Sequence, residues 1–139
     1  MTKASYEGRP LFAYGTLMFP AVIKSVIGRI PDSRPGVINH YQRFKVAGEL
    51  FPGLIRENSK SVEGLVYLSI AGEEWKRLIA FEDDFYELQE VTVECPETNV
   101  SALAFIVPPS RKSLLSDKTW NPDFFRENHL AGNAGDDPV

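Results

Sequence analysis

Between Val37 and Val107, segments of strand-type composition follow one another directly, with little room for helices to cross between them. Parallel neighbours need a crossover of a dozen or more residues, whereas antiparallel neighbours need only a turn. The order of segments therefore predicts an α+β chain. Its sheet is mixed, mostly antiparallel and curled into a small barrel, with two or three helices at the periphery. The strand-type runs are Leu11–Tyr14, Val37–Glu49, a run starting at Phe51, Val62–Ile70, Tyr86–Cys95 and Ser101–Val107. Asn58-Ser59-Lys60 reads as a hairpin-like turn, Pro96-Glu97-Thr98-Asn99 as another, and Pro108-Pro109 as the end of the sheet.

Three segments read as helices. Pro20 suits the first turn of a helix running to about Ile27, which Gly28 closes. From Glu73 to about Phe81, Trp75, Leu78 and Ile79 fall at i, i+3 and i+4, and so share one face. Pro122 starts a short helix ending near Leu130. Residues 1–9 and the small, acidic 132–139 are expected to be loose. With no repeat and no linker, the 139 residues are expected to form one domain.

Apolar residues make up 43% of the chain and charged residues 24%, a globular balance, and nine Phe, five Tyr and two Trp supply bulk for a core. A net charge of −4 argues against a nucleic-acid partner, and Arg111-Lys112 reads as a solvated loop. The lone Cys95 makes no internal disulfide and no Cys-based zinc site. It ends the apolar stretch Val91–Cys95 and lies far in sequence from His40 and His129, so it reads as a buried structural thiol. With no signal peptide and no apolar run of membrane-spanning length, the expectation is a cytoplasmic protein without a membrane partner. No metal-ligand cluster suggests a cofactor, and nothing specifies an oligomeric state.

Two features carry chemistry. Tyr14-Gly15-Thr16-Leu17 joins a buried strand to a helix. Gly15 permits either a positive φ or a close approach of the backbone. Such a turn can converge N–H groups on a carboxylate or oxyanion, or it can be an ordinary connection. It lacks the residues of a phosphate-binding Walker loop and of a dinucleotide fingerprint. The second feature is Glu82 in the acidic, aromatic run Phe81–Glu87. It lies four residues after Leu78 and seven after Trp75, so a helix continuing through it would turn it toward the core. A desolvated carboxylate there would have a raised pKa and serve as a general base and acid near neutral pH. If the helix stops at Phe81, the phase does not extend to Glu82. Asp84 points outward on the same helix, and Asp83 falls near the edge of the inward face.

Together these residues resemble the gamma-glutamylcyclotransferase-like superfamily, which includes the AIG2-like proteins. Phe12-Ala13-Tyr14-Gly15-Thr16-Leu17 resembles its opening strand and Tyr-Gly-Ser/Thr-Leu loop. Gly48-Glu49-Leu50-Phe51-Pro52-Gly53 resembles its Gly-x-Leu-Tyr-Pro segment, and Val62–Tyr67 its following strand. Phe81-Glu82 and Tyr86-Glu87 resemble its Phe-Glu and Tyr-Glu-Arg pattern. The likeness runs from about Leu11 to Val107. Leu88 stands where the pattern has Arg, Ile79 where Asp is frequent and Asp83 where Gly is commonest.

The resemblance implies a small-molecule enzyme without a cofactor. It would cyclise a gamma-glutamyl compound to 5-oxoproline with release of an amine. Glu82 would move the protons, the backbone of Tyr14, Gly15, Thr16 and Leu17 would hold the substrate, and Tyr86 would supply a second hydrogen-bonding group or core packing. A gamma-glutamylamine would fit the same machinery with a different leaving amine. The competing expectation is a non-catalytic small-molecule binding or interaction module on the same fold.

Overall fold

The computed structural model describes residues 6–120 and 122–125. Its strands are β1 (Leu11–Ala13), β2 (Ser33–Val46), β3 (Pro52–Tyr67), β4 (Glu87–Glu94), β5 (Asn99–Ile106) and β6 (Leu115–Thr119). Its helices are α1 (Pro20–Ile27), α2 (Gly72–Phe81) and α3 (Pro122–Phe125). The sheet order is β3-β1-β5-β4-β2-β6, and β2 also pairs with β3. That extra pairing closes β1, β5, β4, β2 and β3 into a five-stranded barrel, to which β6 adds on the β2 edge. Pairing is antiparallel except between β1 and β5, which run parallel at Leu11 and Leu103. The barrel is thus a mixed, mostly antiparallel sheet with three helices outside it.

Side-chain alternation explains why β1 and the Ala102–Ile106 part of β5 read as unbroken apolar runs. Phe12, Tyr14, Ala102, Ala104 and Ile106 turn into the barrel, with Ile38, Leu54, Val62 and Val93. Leu11, Ala13, Leu103 and Phe105 turn outward into a second apolar layer beneath the helices, with Val22, Ile23, Trp75 and Leu78. Strands buried on both faces show no polar alternation.

Several boundaries differ from the sequence reading. β2 begins at Ser33, not Val37, because its first residues pair with the end of β3. Asn58-Ser59-Lys60 does not reverse the chain. β3 runs through it, and the surplus is absorbed as a bulge between Asn39↔Ser61 and Tyr41↔Arg56. Across the bulge His40 takes φ 72°, and its Nδ1 lies 2.8 Å from the Asn58 carbonyl oxygen. β3 ends at Tyr67, short of Ile70. Pro108-Pro109 does not end the sheet, since a 3-10 turn (Pro109–Leu114) leads into β6.

Residues 6–9 are tied down. Gly8 N–H donates to the Ile70 carbonyl (2.7 Å), Glu7 accepts from Gly72 N–H (2.7 Å), and Arg9 pairs with Glu90 (2.9 Å). The expected looseness of 1–5 and 132–139, and the expected run of the last helix beyond Phe125 to near Leu130, lie outside the described residues. Cys95 is half-buried at the end of β4, not fully buried.

On α2, Trp75 and Leu78 are fully buried, but Ile79 is 44% exposed. The helix is seated by that narrow stripe and by Arg29, whose guanidinium makes two hydrogen bonds (2.6 and 2.8 Å) to the Glu74 carboxylate. Glu74 also accepts from Ala71 N–H at 2.9 Å, closing the first turn of the helix. Leu78→Ala should therefore cost about 2–5 kcal/mol in chemical denaturation. Ile79→Ala should stay within about 0.5 kcal/mol, as expected of a surface position.

Candidate active site

At the C-terminal end of β1, one cavity is lined by Leu11 through Leu17, Phe51, Pro52, Glu82, Tyr86 and Phe105. Residues far apart in the chain, Tyr14-Gly15-Thr16-Leu17, Glu82 and Tyr86, thereby line one cavity. The cavity is narrow, with a volume of about 30 Å³. Of its wall residues, Phe51 lies in the segment between β2 and β3.

The turn leaves β1 at Tyr14 and becomes a single 3-10 turn, Thr16–Met18. Gly15 has φ −127°, so a positive φ is not what the position demands. Close approach is: a Cβ at Gly15 would lie 2.9 Å from the Pro52 ring. The 3-10 turn begins with Met18 N–H on the Gly15 carbonyl (3.0 Å), which leaves the three preceding N–H groups outside it. Among the described residues, no hydrogen bond is donated by the N–H of Gly15, Thr16 or Leu17. Thr16 is buried, and its hydroxyl has no partner in the described hydrogen bonds. Buried donors without partners are uncommon and call for an explanation.

Glu82 supplies the opposite deficit. α2 stops at Phe81, and Glu82 caps it in an extended conformation (φ −80°, ψ 151°). The helix therefore does not carry its phase through Glu82. The carboxylate reaches the cavity from the cap, held there by Glu82 N–H on the Leu78 carbonyl (3.1 Å). Burial, and then the charge of Asp83, push its pKa up to about 8. No described hydrogen bond or ion pair engages the Glu82 carboxylate, so nothing offsets its desolvation. Asp83 and Asp84 are exposed.

Both cavity tyrosines are neutral. Burial raises the Tyr14 pKa, as do Tyr86 and Glu82; burial and the Glu82 charge raise that of Tyr86. The Tyr14 hydroxyl donates to the Phe105 carbonyl, and that of Tyr86 to the Pro52 carbonyl at 2.6 Å. Their donor hydrogens are thus committed to the frame of the cavity. The sequence reading did not single out Phe105 or Arg43. Arg43 Nη1 donates to the Tyr14 carbonyl at 2.8 Å from behind the cavity wall. Nothing in the spacing of β2 marks that arginine among fifteen basic residues. Leu88 packs against the apolar layer beneath the helices and does not line the cavity.

Among the described residues, no cluster of three or more His, Cys, Asp or Glu could hold a metal. No helix among them is long and apolar enough to cross a membrane.

The family model described as "Gamma-glutamyl cyclotransferase, AIG2-like" matches residues 11–122. AIG2-like protein D of Arabidopsis thaliana is 34% identical over 124 residues, covering 88% of this chain and 82% of its own length. AIG2-like protein C of the same plant is 33% identical over 97 residues, covering 70% of this chain and 55% of its own length. The chain thus spans about half of that second relative. A yeast gamma-glutamyl cyclotransferase specific to glutathione superposes with a TM-score of 0.62 at 14% identity, over 81% of this chain and 74% of that one. At that identity the likeness is one of fold.

The raised pKa of Glu82 ties stability to pH. The stabilisation from its protonated form is complete below the unfolded value of about 4.5 and is lost as pH rises through about 8. Denaturation of wild type and Glu82→Gln at pH 5 and pH 9 should show the variant gaining stability relative to wild type at the higher pH. A pH-independent difference would place the carboxylate in water.

Proposed function

This chain belongs to the gamma-glutamyl cyclotransferase, AIG2-like family, and we propose that it cyclises a gamma-glutamyl compound to 5-oxoproline and a free amine. One observation carries the reading: a desolvated Glu82 lines a narrow cavity with Gly15, Thr16 and Leu17, and among the described residues neither its carboxylate nor their three N–H groups have a partner. A gamma-glutamyl substrate satisfies both deficits, with its α-ammonium toward Glu82 and a carboxylate or developing oxyanion toward Gly15, Thr16 and Leu17. The family and the fold support the enzyme class, and the site residues are our assignment.

Glu82 takes a proton from the α-ammonium, freeing the lone pair that attacks the side-chain carbonyl carbon. The new C–N bond closes a five-membered ring and places negative charge on the carbonyl oxygen, where the turn's N–H groups stabilise it. Collapse re-forms the carbonyl and breaks the bond to the leaving nitrogen. The ring nitrogen sheds a second proton, and the leaving nitrogen takes up both, one of them through Glu82, and departs as an ammonium. A base with a pKa near 8 is well matched to an ammonium donor. Both reacting groups belong to one molecule, so the cavity chiefly has to fold the substrate into attack geometry.

The leaving amine is constrained by charge. Among the described residues no cationic side chain lines the cavity, and the charges that raise the Tyr86 pKa are those of Glu82, Asp83 and Glu49. This favours an amine without a carboxylate over an amino acid or peptide. A non-catalytic binder has no need of a desolvated carboxylate without a partner among the described residues, which costs stability.

Incubation with gamma-glutamylamines and gamma-glutamyl amino acids, with 5-oxoproline and amine release as readouts, should show turnover of the former in preference to the latter. The rate should rise with pH as Glu82 ionises near 8, and Glu82→Gln should lower kcat by about 100-fold or more. Thermal stabilisation by 5-oxoproline without turnover of any compound would favour the binding module, and full activity in Glu82→Gln would remove Glu82 from the chemistry.

A further inference from the structure

Arg43 sits on β2, on the far side of the turn from the cavity. Its Nη1 donates to the Tyr14 carbonyl at 2.8 Å and reaches the Glu63 carbonyl at 3.4 Å. The guanidinium lies over the Trp120 ring, 5.4 Å from its centroid, and Trp120 Nε1 donates to the Leu50 carbonyl at 2.8 Å. Arg43 is half-buried, and burial lowers its pKa, yet an arginine keeps its charge at any ordinary pH. A half-buried cation held on the Tyr14 carbonyl, and braced on an aromatic ring, is more than an ordinary turn requires.

The peptide joining Tyr14 to Gly15 is trans, as are all those described. In a planar trans peptide the C=O and the following N–H point in opposite directions. Gly15 lines the cavity and Arg43 does not. A Tyr14 carbonyl held outward by Arg43 therefore directs the Gly15 N–H inward. Were this peptide to flip, its carbonyl oxygen would face the cavity that Glu82 lines, and a developing oxyanion would meet a repelling dipole instead of a donor.

We propose that Arg43 is a positioning residue for the cyclisation: it locks the Tyr14–Gly15 peptide so that the Gly15 N–H faces the reacting carbonyl. The guanidinium charge beside the Tyr14 oxygen also polarises that peptide and strengthens the N–H as a donor. Trp120, at the end of β6, braces the guanidinium and links the C-terminal strand to the turn. The inference rests on the cyclotransferase reading, because it gives the inward N–H an oxyanion to stabilise.

The test compares Arg43→Met and Arg43→Lys with wild type, first by the Gly15 amide resonance in glycine-labelled protein and then by kinetics on a gamma-glutamylamine. In Arg43→Met the Gly15 amide proton should move upfield while most other glycine amides stay in place. Its kcat should fall by about 10- to 100-fold with KM within about twofold, since an interaction made chiefly in the transition state is lost. The pH midpoint set by Glu82 should not move. Arg43→Lys keeps a cationic donor and should lie between, and free guanidinium should partly rescue Arg43→Met. An unmoved Gly15 resonance with kcat intact would overturn the proposal. So would a rise in KM with kcat unchanged, or a shift of the Glu82 midpoint. If Arg43→Met does not fold, the same readouts on Arg43→Lys decide. If wild type turns over no gamma-glutamyl compound, the cyclotransferase reading fails, and the Gly15 resonance still reports whether Arg43 orients the peptide.

Discussion

Three residues of β1 join β3 to β5 within the barrel. Leu11, Phe12 and Ala13 pair antiparallel with Tyr67, Val66 and Leu65 of β3, while Leu11 meets Leu103 of β5 in parallel on the other edge. Both faces of the strand are buried, one inside the barrel and one under the helices. With edges and faces all engaged, the strand has almost no freedom to shift, and neither does the turn that leaves it at Tyr14. Precise placement of backbone donors needs a rigid support of this kind, because an N–H that wanders by an ångström loses most of its value to a developing charge.

The catalytic carboxylate we assign arrives by a separate route. Trp75 and Leu78 seat α2 on the outer apolar layer, and the Arg29–Glu74 pair fixes its start. The helix then ends one residue before Glu82, and the extended cap turns that side chain to the cavity. Tyr86 ties the following segment to Pro52. Donors and a carboxylate that have no partner among the described residues, lining one cavity, are each unfavourable, and the surrounding packing supports both. Strain and desolvation tolerated in this way concentrate where a ligand relieves them.

Much of this was legible in local patterns. The apolar run at Leu11–Tyr14, the glycine after it, Pro20 and Gly28 around α1, and the turn before β5 follow from residue chemistry acting over a few positions. Asn58-Ser59-Lys60 misled because turn-forming residues also suit a bulge, and only the partner strand decides between the two. Ile79 misled because its helical phase was right, yet the stripe that contacts the barrel is narrower than the apolar stripe in the sequence. Glu82 was singled out from its acidic neighbours on the premise of a continued helix. The structure has the carboxylate reach the cavity by a cap instead.

The sequence by itself determined which residues are available for chemistry: one glycine turn, one carboxylate beside an apolar stripe, and a family pattern joining them. Those signals are local, set by backbone sterics, side-chain type and spacing. The tertiary structure decided the partnerships: Pro52 against Gly15, Phe105 under Tyr14, and Arg43 behind the Tyr14 carbonyl. These contacts join positions 29 to 91 residues apart in the chain. Barrel closure creates them, and no periodicity within a single segment encodes which distant strand will lie alongside.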